Sequence, residues 1–276
     1  MILFVFIVCL AILLILRFLL VGFNRDRFKI AATDFSNSSN SSIYVNQYRR
    51  PVIIKKDKAC LIIVTDPVGI ERIGTSACMI AKEFITKQFD QNDASINPTE
   101  FLKKACFLAH RGISEQMNAN SGGCSIALVY INEKELNYAS VGDIKIYLND
   151  VELHQINQLD LYKYQLRNRV MEQKISERQL LNNYYRNELT AYLGHENLKK
   201  VNTSTKPLPL AKSYKILIAT KAVYEAVTML ELEAIAMRKG KPNRKIEILE
   251  HIYDEQRQAT PKRKPTASAV LVSDFK

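Results

Sequence analysis

Residues 1–23, MILFVFIVCLAILLILRFLLVGF, form a continuous apolar run broken only by Arg17. A helix rising about 1.5 Å per residue crosses a hydrocarbon core of about 30 Å with a run of this length. Lipid offers backbone groups no partners, so such a segment has to be helical. Arg17 stands close enough to the end of the run for its side chain to snorkel toward the headgroups. A cleaved signal peptide would carry a charged n-region, a shorter apolar core and a small-x-small cleavage site. Here no side-chain charge precedes the run, and it closes on Leu20, Val21, Gly22 and Phe23. The expectation is a single-pass anchor over 1–23. Positive charge then accumulates behind it in Arg25, Arg27, Lys29, Arg49, Arg50, Lys55 and Lys56. The positive-inside rule therefore predicts a cytoplasmic C-terminal domain.

Cysteine usage agrees with a reducing compartment. Cys9, Cys60, Cys78, Cys106 and Cys124 are odd in number, widely spaced and without a CxxC pair. They read as small buried hydrophobes, with neither a disulfide framework nor a zinc site. The net charge of +11 is spread along the chain without the basic-aromatic clustering of a nucleic-acid interface. A basic domain near an anionic leaflet accounts for it, and no nucleic-acid partner is expected. The run Lys262, Arg263, Lys264 reads as a solvated loop.

Residues 24–43 are expected to be a basic juxtamembrane segment and tether, with AATDFSNSSNSS at 31–42 lacking apolar periodicity. One domain over 44–276 follows, with no further linker and no repeat. The β-branched run ACLIIVT at 59–65 predicts a buried strand. Residues 76–89 and 97–118 have helical spacing. In the second, Asn97 stands as cap, Pro98 as first helical residue and Glu100 at the capping-box position. Strand-like runs at 124–131, 135–141, 144–148 and 151–155 are separated by short turns, as in an antiparallel meander. Residues 160–190 read as helical and polar. A strand at 215–220, helices at 222–238 and 244–258, and a strand at 267–273 complete an α+β pattern with helices covering the sheets.

Isolated residues carry little chemistry by themselves. His110, His154, His195 and His251 have no ligand candidates at helical spacing, and no Ser–His–Asp or Cys–His set can be assembled. Gly122 and Gly123 precede a strand instead of a helix, so they read as a turn entering a sheet and not as a phosphate cradle.

Five segments in order carry more. These are VTDPVG at 64–69, SGGCSIALVYI at 121–131 with NYASVGDIKIYLND at 137–150, ELTAYLG at 188–194, KILIATKAVYEAVTMLEL at 215–232, and the terminal ASAVLV. Together they resemble the metal-dependent protein phosphatases of the protein phosphatase 2C type, over residues 45–275. The resemblance implies an α/β sandwich of two antiparallel sheets flanked by helices. It also implies phosphoester hydrolysis by two divalent ions, Mn²⁺ or Mg²⁺, held by aspartates at one end of the sandwich.

Carried over by that resemblance, Asp66 matches the aspartate that bridges both ions. Pro67 takes the place of a glycine whose carbonyl is a ligand, and its fixed φ constrains where that carbonyl points. Asp143 matches an aspartate that is partly structural. Lys221 stands where a metal aspartate is usual, and Pro265 falls where another is. The upstream acidic motif corresponds at best to Asn46, Gln47 and Tyr48, and a phosphate-binding arginine to Arg49 or Arg50. An ammonium beside a dication repels it by several kcal/mol at intermediate dielectric. The expectation is therefore a pseudophosphatase: a membrane-anchored binding or regulatory module with no cofactor, engaging a cytoplasmic partner such as a phosphoprotein or a kinase. Lys221 is expected to pair with Asp66 in place of the metal. The alternatives are a divergent active Ser/Thr phosphatase using Mn²⁺ or Mg²⁺, and a scaffold of a membrane complex.

Overall fold

A computed structural model describes residue 12 and residues 28–35, 50–56, 59–117, 122–132, 135–259 and 267–275. Apart from residue 12, the proposed anchor lies outside these residues, as do the upstream motif at 46–48 and Pro265. Among the described residues no helix is long and apolar enough to cross a membrane.

The strands are β1 (Lys29–Asp34), β2 (Val52–Lys56), β3 (Ala59–Gly69), β4 (Gly122–Asn132), β5 (Glu135–Val141), β6 (Lys145–Asn149), β7 (Leu153–Gln155), β8 (Asn202–Thr203), β9 (Leu208–Pro209), β10 (Lys215–Ala219) and β11 (Ser268–Ser273). The helices are α1 (Glu71–Gln91), α2 (Pro98–Gln116), α3 (Tyr162–Met171), α4 (Glu177–Leu181), α5 (Lys221–Ala226), α6 (Met229–Met237) and α7 (Pro242–Ala259). One sheet has the order β1-β11-β10-β6-β7; the other runs β2-β3-β4-β5-β8, with β9 also on β5. Every pairing is antiparallel.

Strand periodicity sorts the side chains into three apolar layers. Cys60, Ile62 and Val64 of β3 meet Ile146, Ile216, Ile218, Val270 and Val272 of the other sheet, forming the core between the sheets. The alternate residues Leu61 and Ile63 point the other way, onto Ala77, Ala81 and Ile85 of α1 and Leu102, Ala109 and Ile113 of α2. Leu217, Ala219 and Leu271 likewise face Val223, Leu232, Leu249 and Tyr253 of α5, α6 and α7. Both faces of each sheet are therefore dry. This explains why β3 and β4 read as continuous apolar runs instead of alternating ones.

The expected strands and helices are present, with instructive shifts, but the meander expected after residue 122 is corrected: β4–β5 and β6–β7 are hairpins in different sheets, because the β5–β6 turn crosses from one sheet to the other. Asn97 Oδ1 accepts from the Glu100 N–H at 3.2 Å, as the cap reading requires. The Glu100 carboxylate instead lies 3.7 Å from Lys103 Nζ. The stretch 160–190 is not one helix. It breaks after α3, where Gln173 takes a positive φ of 57°, and restarts when Ser176 and Gln179 close a capping box. The expected helix 222–238 divides at Val227 because Thr228 caps a new helix, with Glu231 completing the box. In both places a side-chain cap offers backbone N–H groups a better partner than continuing the helix.

The tether reading of 31–42 is corrected over its first part. Residues 29–34 form β1, and Lys29 to Asp34 pair in register with Ser273 back to Ser268. The polar appearance is that of an edge strand with one buried face, where Ala31 and the following Phe35 are buried and Ala32 is exposed. Phe35 stacks on Tyr253 of α7 at 5.0 Å between ring centroids. Replacing Phe35 with alanine is expected to cost about 3–5 kcal/mol in denaturant unfolding, the range for losing a core aromatic. A flexible tether would leave the unfolding midpoint unchanged.

Candidate functional site

The site forms where β3, the β5–β6 turn and the start of α5 meet. Along β3, β2 pairs only as far as Ile63, so Val64 to Gly69 run beside β4 alone. Pro67 is tolerated there because an edge strand does not need every N–H. Pro67 is therefore part of the strand and lies opposite Cys124. The helix following it packs tightly. A Cβ on Gly74 of α1 would stand 2.8 Å from the Pro67 Cβ.

Asp66 is buried at 7% exposure and lies opposite Ser125 of β4. The Ser125 hydroxyl donates to Asp143 Oδ1 at 2.9 Å, linking the two acidic positions through one serine. Asp143 is buried in the β5–β6 turn, whose Gly142 has φ 100°. A Cβ at Gly142 would stand 2.2 Å from Ser125 Oγ, so both conformation and space require glycine there.

Asp160, which the sequence reading passed over, pins this turn. Its Oδ2 accepts from the Gly142 N–H at 2.8 Å, and its own N–H donates to the Gly142 carbonyl at 2.8 Å. Asn202 Nδ2 donates to its Oδ1 at 3.0 Å. Burial raises the Asp160 pKa, partly opposed by the Gly142 and Asn202 hydrogen bonds. Tyr224 of α5 closes the turn from above, donating its hydroxyl to the Asp143 carbonyl at 2.8 Å. Burial, followed by the charges of Asp143 and Glu225, pushes that phenol well above its ordinary range.

Lys221 reaches into the same place. Its Nζ stands 3.8 Å from Asp143 Oδ2 and 4.0 Å from Glu225 Oε1. The pairing expected with Asp66 is corrected: the ion pairs of Lys221 are with Asp143 and Glu225. The geometry gives the reason, since Lys221 and Tyr224 both rise from α5 directly over the Asp143 turn, whereas Asp66 lies within β3. The structure thus joins Asp143 with Lys221, and connects Asp66 to them through Ser125. Ser125 and Tyr224 escaped the sequence reading because neither residue type announces a site.

A second convergence was hidden by sequence separation. His110 of α2 accepts the Gly194 N–H on Nδ1 at 3.1 Å, and Gly194 closes the TAYLG segment. That segment lies on β4, where Cys124 and Leu193 exchange backbone hydrogen bonds at 3.0 and 2.9 Å. The four cysteines within the described residues, Cys60, Cys78, Cys106 and Cys124, are buried and form no disulfide.

The donor set sets limits on a metal. Asp143 already spends one oxygen on Ser125 and the other on Lys221. Among the described residues no group of three or more His, Cys, Asp or Glu is arranged to hold an ion. Two carboxylates suit a single hard cation that keeps several waters. They do not suit a pair of ions.

No family model matches the chain. It is similar to the serine/threonine phosphatase stp of Listeria innocua, 25% identical over 235 residues covering 82% of this chain and 86% of that protein. The stp of Listeria monocytogenes is 23% identical over 233 residues, again covering 82% and 86%. Among solved structures, the S. agalactiae serine/threonine phosphatase superposes with a TM-score of 0.73 at 14% identity, covering 89% of this chain and 99% of that one. The Mycobacterium tuberculosis phosphatase PstP/Ppp gives 0.68 at 14% identity, covering 90% and 99%. The catalytic domain of PstP in complex with two manganese ions gives 0.62 at 12% identity, covering 89% and 97%. The resemblance to the metal-dependent protein phosphatases is borne out, and the two-sheet sandwich is theirs. The expectation of no cofactor is corrected by the manganese-bound neighbour: this fold is found with divalent ions.

His110 provides a pH test of the site's scaffold. Burial, then the charge of His195, lowers its pKa from the ordinary 6.5. The unfolded chain therefore binds a proton more readily, and stability is fully present above pH 6.5 and lost as pH falls toward the folded-state pKa. Denaturant midpoints measured from pH 7.5 to 5 are expected to fall. His110→Gln should flatten that slope.

Proposed function

We propose that this chain is a serine/threonine phosphatase of the metal-dependent type, acting on phosphorylated side chains at the Asp66–Asp143 end of the sandwich. What carries the reading is a similarity to serine/threonine phosphatases that extends over 82% of the chain and includes this end. Asp66 and Asp143 would hold a divalent ion, which when bound neutralises phosphoryl oxygens and activates water. The chain's own groups prepare the carboxylates. Ser125 orients Asp143 through Oδ1, Tyr224 holds its carbonyl, and Asp160 fixes the turn that carries it. Burial of Asp66 and Asp143 strengthens their attraction for a cation by excluding water.

A second reading is favoured by one observation, the Lys221 ammonium on Asp143. In it the domain binds a phosphorylated protein without hydrolysing it. A cytoplasmic phosphoprotein or kinase would be its partner in that case. Both readings place the chain at a membrane through residues 1–23, supported by the length and composition of that run and the basic residues behind it. Since β1 starts at Lys29, a fully extended link over 24–28 reaches only about 17 Å. The domain would then work against the leaflet.

Turnover of p-nitrophenyl phosphate by the full chain with millimolar Mn²⁺ tests the first reading. Asp66→Asn is expected to lower it by about 100-fold or more. Lys221→Asp should tighten Mn²⁺ binding in calorimetry. Absence of turnover, with retained affinity for a phosphoserine peptide, selects the second reading, and absence of both overturns the two together. Removing residues 1–23 is expected to move the protein from the alkali-washed membrane pellet to the supernatant. Retention in the pellet would reject the anchor.

A further inference from the structure

The cations around Tyr224 form an arrangement that the carboxylates do not account for. Lys145 of β6 holds its ammonium 4.0 Å from the Tyr224 ring centroid and 5.7 Å from that of Tyr147. Lys163 of α3 lies over the neighbouring Tyr164 at 5.5 Å, and the Arg167 guanidinium stands 5.6 Å from the same ring. Lys221 enters from α5 between Asp143 and Glu225. Three separate elements thus bring lysines to one end of the sandwich, beside the phosphatase-like turn.

The crowding of cations bears on Lys163. Burial lowers the Lys163 pKa, and the charges of Arg167, Lys221 and Arg186 lower it further, with Glu225 opposing. Partly desolvated like charges repel each other, so such a cluster is costly unless an anion lies among them. The carboxylates facing it, Asp143 and Glu225, lie within ion-pair distance of Lys221 only. Among the described residues neither Lys145 nor Lys163 has a carboxylate within 4.0 Å. Two cations are thus held against aromatic faces without a carboxylate at ion-pair distance.

We propose that Lys145, Lys163 and Lys221 form an oxyanion site that takes the phosphate group of a phosphorylated side chain directly, without a metal. A phosphomonoester carries close to two negative charges near neutral pH, which suits more than one ammonium. Lysines approach it as compact point charges, free of the geometric demand of a bidentate fork. Tyr224 is the hub. Its ring supports Lys145 while its hydroxyl holds Asp143, so the oxyanion site and the acidic pair share one side chain. The inference rests on reading this end of the sandwich as a phosphate-handling site, and the test separates the two.

The full chain in neutral detergent, with chelator to remove divalent ions, is titrated calorimetrically with inorganic phosphate, with a phosphoserine peptide and with the unphosphorylated peptide. Saturable binding of phosphate or phosphopeptide is expected, with none for the unphosphorylated peptide. Phosphopeptide binding well above that of phosphate identifies a phosphorylated protein as the ligand, and equal binding identifies free phosphate. Lys145→Gln and Lys163→Gln should each weaken binding by about tenfold. Lys87→Gln on α1, a control on a different helix, should leave it unchanged. Lys163 is half-exposed, so its variant is expected to keep the wild-type unfolding midpoint. Absence of binding in chelator, or equal affinity in all variants, overturns the site. Turnover with Mn²⁺ but no chelator-phase binding leaves the phosphatase reading standing while this inference falls. Binding without turnover supports this inference and rejects catalysis.

Discussion

Everything in this domain depends on two sheets that are apolar on both faces. The inner faces of β3, β4, β6, β10 and β11 are fully buried against each other, and their outer faces are covered by α1, α2 and the helices from α5 to α7. Each fully buried Ile, Leu or Val contributes about 1.5–3 kcal/mol from leaving water. A one-residue slip in β3 would exchange Ile62 with Ile63 between different layers, so register is strongly specified. That rigidity is what lets the strand ends hold charged groups in fixed positions.

The acidic end is held by short polar contacts, with each member supporting the next. Asp160 fixes Gly142, Gly142 makes room for Ser125, and Ser125 with Tyr224 fixes Asp143. Such a network is stable because each buried polar group in it has a partner. Lys221 adds a charge to the network without disturbing the turn. On the proposed phosphatase reading, this ammonium and a divalent ion would compete for the same carboxylate.

Several features were legible in the chain. The continuous run at 59–65 specified two-sided burial, and the Asn97–Pro98 start specified a helix, but the close succession of strands after residue 122 did not show that β5 and β6 part into different sheets. The resemblance of the short segments to those of the metal-dependent phosphatases pointed to Asp66 and Asp143. Other features were not legible. β1 looks like a polar linker because only its alternate residues are buried, and its partner lies at the far end of the sequence. The breaks in 160–190 and 222–238 depend on whether a serine or threonine side chain caps a helix, a choice between nearly balanced local options.

What the sequence determined by itself is layer and order: which residues are apolar, at which period, and hence sheet faces covered by helices. It also determined that a lysine stands at residue 221. Only the tertiary structure decided that this lysine meets Asp143 and not Asp66, and that Asp160 secures Gly142 across 18 residues of chain. It also decided that Lys145 meets the Tyr224 ring, whose hydroxyl holds the Asp143 carbonyl. Periodicity is a local property set by solvent, whereas the meeting of charges depends on how separate elements dock, and no window of sequence encodes that distance.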